Sequence, residues 1–382
     1  MPHKIIIGFI LFLFSYSCTS SKKMGGTKQD SITQLKFLGE YDVPNAKQYK
    51  GTTVGGLSGI DYDASRDLYY LISDDRSAIN PARFYTVKIY FTEKGIDSLQ
   101  FLDVTTLKTS EGKVYPNSKQ DPFHTPDPEA IRYNPLKDEL VWSSEGERII
   151  NSVNNVLEDP AVMAIDRNGG YKESFDLPSN THMHATENGP RQNGVFEGMS
   201  FDKDFRYLYV NVEEPIYEDG PRAGLNDSTA WIRVIKFDAD TRKPVAQYAY
   251  RIEAVAHPPI MANGFKINGV PDILWAGNDR LIVVERSFST GKLACTIRVF
   301  LADMKGATNI AETSSLQTQP AARAISKKLL LNMEELGRYI DNIEGVTFGP
   351  TLANGHRTLI FVADDNFSPL EKTQFLLFEI IP

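Results

Sequence analysis

Thiols are nearly absent from this chain. Among 382 residues only Cys18 and Cys295 carry one, which excludes a disulfide framework and a cysteine-built zinc site. Long basic runs are also missing, and the formal net charge is −8. That balance argues against a nucleic-acid partner and favours cationic ligands or metal ions. No apolar stretch is long enough to span a bilayer; Ile5–Tyr16 is the longest near the start, at about twelve residues. The chain has no Gly-x-Ser-x-Gly elbow, no phosphate-cradling glycine loop and no His-Glu-x-x-His. Serine-hydrolase, P-loop and zincin chemistries therefore have no footing. Helical periodicity is scarce; its best candidate is Ser326–Ile340, with Leu329, Leu330, Met333 and Leu336 at apolar spacing.

What is present begins with a leader. A basic start (Met1–Lys4), the apolar run and Ser15-Tyr-Ser-Cys18 resemble a relaxed bacterial lipoprotein signal. The expectation is that residues 1–18 are a signal peptide, that Cys18 is lipidated, and that 19–31, polar and rich in Ser, Lys and Gly, form a tether. The folded body, 32–382, would then face the periplasm from a lipid anchor, as a monomer. Cys295 in "KLACTIRVF" reads as a buried free thiol.

The body is repetitive. Ser58-Gly-Ile-Asp-Tyr-Asp leads through "LYYLIS" to Asp74-Asp75, and Glu129-Ala-Ile-Arg-Tyr-Asn leads through "ELVWSS" to Glu145. Glu197-Gly-Met-Ser-Phe-Asp leads through "YLYVNV" to Glu213-Glu214, and Glu344-Gly-Val-Thr-Phe-Gly through "TLIFVA" to Asp364-Asp365. A weaker copy starts at Asp272-Ile-Leu-Trp and ends "RLIVVE" at Glu285. Starts at 58, 129, 197, 272 and 344, each followed by further strand-like runs, indicate a radial repeat of four-stranded units. The fold expected is an all-β five-bladed propeller, with a sixth blade possible in 105–127 or 254–271. The last unit has only "TQFLLFEII" after its hairpin, so "ITQLKFLGEYDV" (32–43) is expected to complete it and close the ring.

Each repeat places acids at both ends of a hairpin. If inner strands line the axis, Glu129, Glu197 and Glu344 converge at one mouth, surrounded by Asp74, Glu145, Glu213 and Asp364. Such crowding raises pKa values or is neutralised by a cation, and Ca²⁺ with its oxygen ligands is the natural ion. Glu129, Glu197 and Glu344 are also candidates for general base. The competing reading is that these acids accept backbone N–H groups and clasp blade to blade. Arg76 and Arg83 in "SDDRSAINPARF" are candidates for orienting a phosphate. His124, His182, His184 and Arg191 lie in loops ahead of Glu129 and Glu197 and are weaker candidates.

"GLSGIDYD…YYLISDD", "DPEAIRYNP", "FEGMSFD" and "DNIEGVTFGP" together resemble the phytase-like family, described as esterase-like activity of phytase. The resemblance covers about 32–382 and implies repeated Glu and Asp site positions and phosphoesterase activity. These positions fall on Glu129, Glu197, Glu344, Asp74, Asp75, Glu213, Glu214, Asp364 and Asp365. Ser58 replaces Glu in the first repeat and Gly146 follows the single acid of the second, so the acidic ring is incomplete. The leading expectation is metal-dependent hydrolysis of a small phosphorylated or other ester substrate. Its rivals are a non-catalytic binding propeller and a calcium-dependent lactonase- or arylesterase-like hydrolase.

Overall fold

The second strand of each repeat is hydrophobic at almost every position because both of its faces are buried. In Leu68–Ser73, Tyr69 and Leu71 pack on one side, while Tyr70 and Ile72 pack on the other. Alternate side chains of a strand point to opposite faces, so a sheet sandwiched between two others needs an unbroken apolar run. The same logic places Leu140 and Trp142 on one side of Glu139–Ser144 and Val141 on the other. Five apolar clusters result, one in each gap between neighbouring sheets. Each fully buried aliphatic or aromatic side chain there contributes about 1.5–3 kcal/mol.

The computed structural model describes residues 1–2, 31–151, 153–226 and 229–382. Cys18 and the expected signal and tether lie outside the described residues, 1–2 and 31 apart. Five four-stranded antiparallel sheets form a five-bladed propeller. The inner strands, in order, are Leu57–Asp63, Pro128–Asn134, Phe196–Phe201, Lys266–Gly277 and Asn342–Gly349. The tight turns after the inner strands of blades 1–3 are held by Asp63, Asn134 and Asp202, whose side chains accept N–H groups two to five residues on.

The ring closes through its termini. Gln34–Val43 pairs with Thr373–Ile381 as the outermost strand of blade 5. No sixth blade exists among the described residues. Residues 107–127 form a loop with one isolated bridge, Lys108–Val114, and 254–265 is a loop leading into the inner strand of blade 4. The expected helix at 326–340 is instead the strand Ser326–Asn332 and a short 3₁₀ turn, Met333–Leu336. Blade 4 requires a fourth strand, and this segment supplies it by pairing with Thr296–Asp303. Among the described residues no helix is long and apolar enough to cross a membrane.

Candidate active site at one mouth of the channel

In all five blades the pairing between the inner and second strands is interrupted at the same place. The shifts fall between Leu57 and Gly59, Pro128 and Ile131, Phe196 and Met199, Gly269 and Asp272, and Ile343 and Gly345. A bulge re-aims the side chain of its extra residue. The residues at the bulges are Ser58, Glu129, Glu197, Pro271 and Glu344, and the three glutamates line a cavity of about 590 Å³ at one mouth of the channel. The next position is small in four blades because the strands nearly touch. A Cβ on Gly59 would stand 2.7 Å from the Glu129 carbonyl oxygen.

The ladders Ile60↔Leu71, Ile131↔Trp142, Met199↔Val210, Ile273↔Val283 and Val346↔Phe361 bring the five blades into register. Three residues further along the second strands stand Asp74, Glu145, Glu213, Arg286 and Asp364. Blade 4 therefore departs from the expected pattern. Asp272 does not open its repeat but occupies the glycine position, and Pro271 takes the glutamate's place. Glu285 stops one residue short and turns away; it accepts hydrogen bonds from Tyr250 Oη and Glu253 N, both at 2.8 Å. The fifth member of the ring is Arg286.

Among the described residues, nine carboxylates and two guanidinium groups line the cavity. Arg286 is held by Glu213 at 2.6 Å and Glu344 at 2.7 Å. Among the described residues, three groups bring carboxylate oxygens within 4.8 Å of one another: Asp74, Glu344 and Asp364; Asp127, Glu129 and Glu145; and Glu145, Glu197 and Glu213. Burial, reinforced by Asp364 and Glu344, drives the Asp74 carboxyl well above the usual range. Burial drives Glu129 up as well, with Glu197 and Asp127 adding to it, and Glu197 likewise, with Glu145 and Glu213. Glu344 is pushed up to about 7 by burial, with Arg286 opposing. The donor set suits a hard cation: all oxygens, with Asp364 Oδ2 buried and without a hydrogen-bond partner.

Below this ring the channel is plugged. Arg132 pairs with both oxygens of Asp272 at 2.7 Å and donates to the carbonyls of Ile60 and Met199, each at 2.5 Å. The acidic cavity therefore has one open end.

The other candidates separate clearly. Glu129, Glu197, Glu344, Asp74 and Glu213 share the cavity lining, and Asp364 lies directly behind Asp74 and Glu344. Arg83 does not reach the cavity. It is buried, bound to Asp75 at 2.8 Å, and donates to Tyr85 Oη and the Thr53 carbonyl. Arg76 is not in the lining either; Glu147, Asp127 and Glu158 surround its guanidinium. Asp75 accepts the N–H groups of Ala78, Ile79 and Asn80, and Asp365 those of Gly56 and Phe367, so both are clasps. Glu214 faces Arg222 at 3.1 Å. His124 and His182 are exposed partners of Asp121 and Asp159, His184 is exposed, and Arg191 stacks on Tyr217. Cys295 is half-buried at the cavity wall, and burial pushes its thiol up to about 12, so it stays protonated.

Sequence reasoning missed Asp127, Asp341, Asn342, Glu371 and Arg286 in the lining. Asp127 was within reach, because it sits two residues before Glu129 in "PDPEA". Arg286 was masked by the acid immediately before it.

Comparison with curated protein sequences finds no match. Among solved structures, an endo-arabinase from Bacteroides thetaiotaomicron is 14% identical, with 86% of this chain and 95% of that chain covered and a TM-score of 0.41. An α-L-arabinofuranosidase from Lactobacillus brevis is 8% identical, covering 85% and 91%, with a TM-score of 0.45. A periplasmic gluconolactonase from Pseudomonas aeruginosa is 12% identical, covering 87% and 91%, with a TM-score of 0.37. The sequence profile described as esterase-like activity of phytase matches residues 52–367, which spans all five bulged hairpins, and the chain belongs to this phytase-like family.

Proposed function

We propose that the acidic cavity is the active site of a divalent-cation-dependent phosphoester hydrolase, carried at the cell envelope by a lipid on Cys18. The observation that carries this reading is the set of carboxylate triads that keep an excess of negative charge although Arg286, at the same level of the channel, pairs with one member of two of them. Glu145, Glu197 and Glu213 would hold the ion, which leaves Glu344 outside the ligand set. Bound calcium would offset the crowded negative charge and act as a Lewis acid toward a phosphoryl oxygen.

The chain's own groups do the rest. Arg286 lines the cavity and brings a fixed positive charge to an incoming phosphate. Glu129, which burial and its neighbours make a stronger base than an ordinary carboxylate, takes the proton of the attacking water. Glu344, poised at about 7, returns a proton to the departing alkoxide oxygen. The P–O bond to the alcohol breaks as that to water forms. The Arg132 plug keeps substrate and products on the open side.

The test is calcium titration by calorimetry on the soluble chain, wild type beside Glu197→Gln, with thermal melts and phosphoester turnover. The expected result is binding and turnover in wild type, a loss of turnover of roughly 10²-fold in the variant, and an unchanged fold. Absence of calcium binding by the wild type would refute the reading and leave the acids as clasps of a binding propeller.

A further inference from the structure

Blade 4 differs from the others above the ring as well as within it. The second strands of the other blades end one residue before the ring, at Ser73, Ser144 and Val212, or on it, at Asp364. In blade 4 the second strand runs on to Ser289, and its partner starts at Lys266. The added ladder pairs Gly269 with Arg286 and Ile267 with Phe288. Side chains two apart share a face of a strand. Phe288 therefore stands above Arg286 on the same face, beside Ile267. Phe265 continues the wall, its ring 6.3 Å from that of Phe288. Leu293, on the loop that follows, completes it, and all four side chains line the cavity that holds the carboxylates.

This wall is open to solvent. Leu293 is 90% exposed and Phe265 54%, far more than large apolar side chains that serve only to pack. The cavity thus has an acidic side built by blades 1, 2, 3 and 5, and an apolar side built by blade 4. Arg286 lies at the foot of the apolar side. Among the described residues two guanidinium groups line the cavity and only Arg286 stands in the ring, so the chain's own cations serve one phosphate there.

We infer that the substrate is a phosphoester with a single phosphate and an apolar aryl or alkyl group, the phosphate lodged at Arg286 and the apolar group lying on Phe265, Ile267, Phe288 and Leu293. This rests on the hydrolase reading above for turnover, but not for binding. A polyphosphorylated polyol would leave the apolar side without a partner.

The experiment compares 1-naphthyl phosphate with methyl phosphate as substrates, in calcium, for wild type and Phe265→Ser/Leu293→Ser. Both positions are exposed, so the double variant keeps the fold, and a thermal melt checks this. The expected result is a KM for naphthyl phosphate at least ~10-fold below that for methyl phosphate. The double variant abolishes the difference by raising the KM for naphthyl phosphate. Equal KM values for the two esters in wild type, or no change in the double variant, overturn the inference while leaving the hydrolase reading intact. If neither ester is turned over, the hydrolase reading fails, and calorimetry with 1-naphthylphosphonate and methylphosphonate decides the inference alone. Preferential binding of the naphthyl compound that the double variant loses upholds it; equal or absent binding overturns it.

Discussion

The two mouths of the channel are built by the same five inner strands, a few residues apart, and their charges are treated in opposite ways. The far mouth, a cavity of about 560 Å³, receives one aromatic side chain per blade: Tyr62, Tyr133, Phe201, Trp275 and Phe348. Its buried carboxylates are supplied with donors. Asp61 accepts from Tyr133 N at 2.7 Å and Thr347 Oγ1 at 3.1 Å, and Arg132 is matched to Asp272. At the near mouth carboxylates face carboxylates, and Arg286 is shared between two of them. A buried acid whose oxygens are all supplied with donors holds the fold. One that faces only its own kind is costly in an empty protein and suits a ligand that is cationic or carries a cation.

The sharpest break of this comparison is at the plug. Arg132→Met leaves Asp272 buried, with the partner that opposes its desolvation removed; Asp272 is already pushed up to about 6 by burial despite that partner. Removing one member of such a pair costs about 3–5 kcal/mol, read as a lower urea midpoint at an unchanged slope. Glu197→Gln at the other mouth, measured in chelator, is expected to leave stability equal or higher, because it removes one of several like charges. If the two variants behaved alike, the distinction between clasp and site would be wrong.

A smaller effect follows from pH. Burial pushes Glu344 to about 7 and Glu214 to about 8, and Glu129, Glu197 and Asp74 well upward. Each therefore binds its proton more tightly folded than unfolded. A raised pKa contributes stability that is complete below the unfolded value, near 4.5 for glutamate, and is lost as pH rises through the folded value. In chelator the melting temperature should therefore fall from pH 5 to pH 8. Calcium should reduce that fall by several degrees, since the cation takes over the role of the protons. A melting temperature that rises over this interval in chelator would mean that the near-mouth acids are paired after all.

How much of this was legible in the sequence follows from the same contrast. The blades were, because a sheet buried on both faces must write an unbroken apolar run such as "LYYLIS" or "TLIFVA", and a turn must follow it. Ring closure was legible from the strand missing after Thr373–Ile381. The bulges were not, since a one-residue slip leaves no mark on composition, and without them the register of blade 4 cannot be read. Glu285 is the acid that ends the apolar run of blade 4, but the ladder Ile273↔Val283 puts Arg286 in the ring instead. Arg83 misled for a related reason. Its nearness to Asp74-Asp75 suggested a shared site, but Asp75 is its buried partner and turns it away from the cavity. Ser326–Asn332 carries an apolar spacing that fits a helix, and only the vacancy at the edge of blade 4 makes it a strand.

The smallest expected effect concerns the histidines, and it bears on which group sets any titration near neutrality. A histidine ordinarily titrates at about 6.5, so a pH–rate limb in that region would by habit be given to His182 or His124. Both lie outside the cavity lining and bond to surface aspartates, with His124 75% exposed. Exposed pairs of this kind are worth about 0–1 kcal/mol. The variant His124→Ala/His182→Ala/His184→Ala should keep its melting temperature within a degree or two and its pH–rate profile unshifted. Glu344→Gln should remove the near-neutral limb, because the group that burial lifts to about 7 is then gone. The reverse outcome, a limb that survives Glu344→Gln and disappears with the histidines, would move the acid–base chemistry out of the bulged ring and onto the loops that precede it.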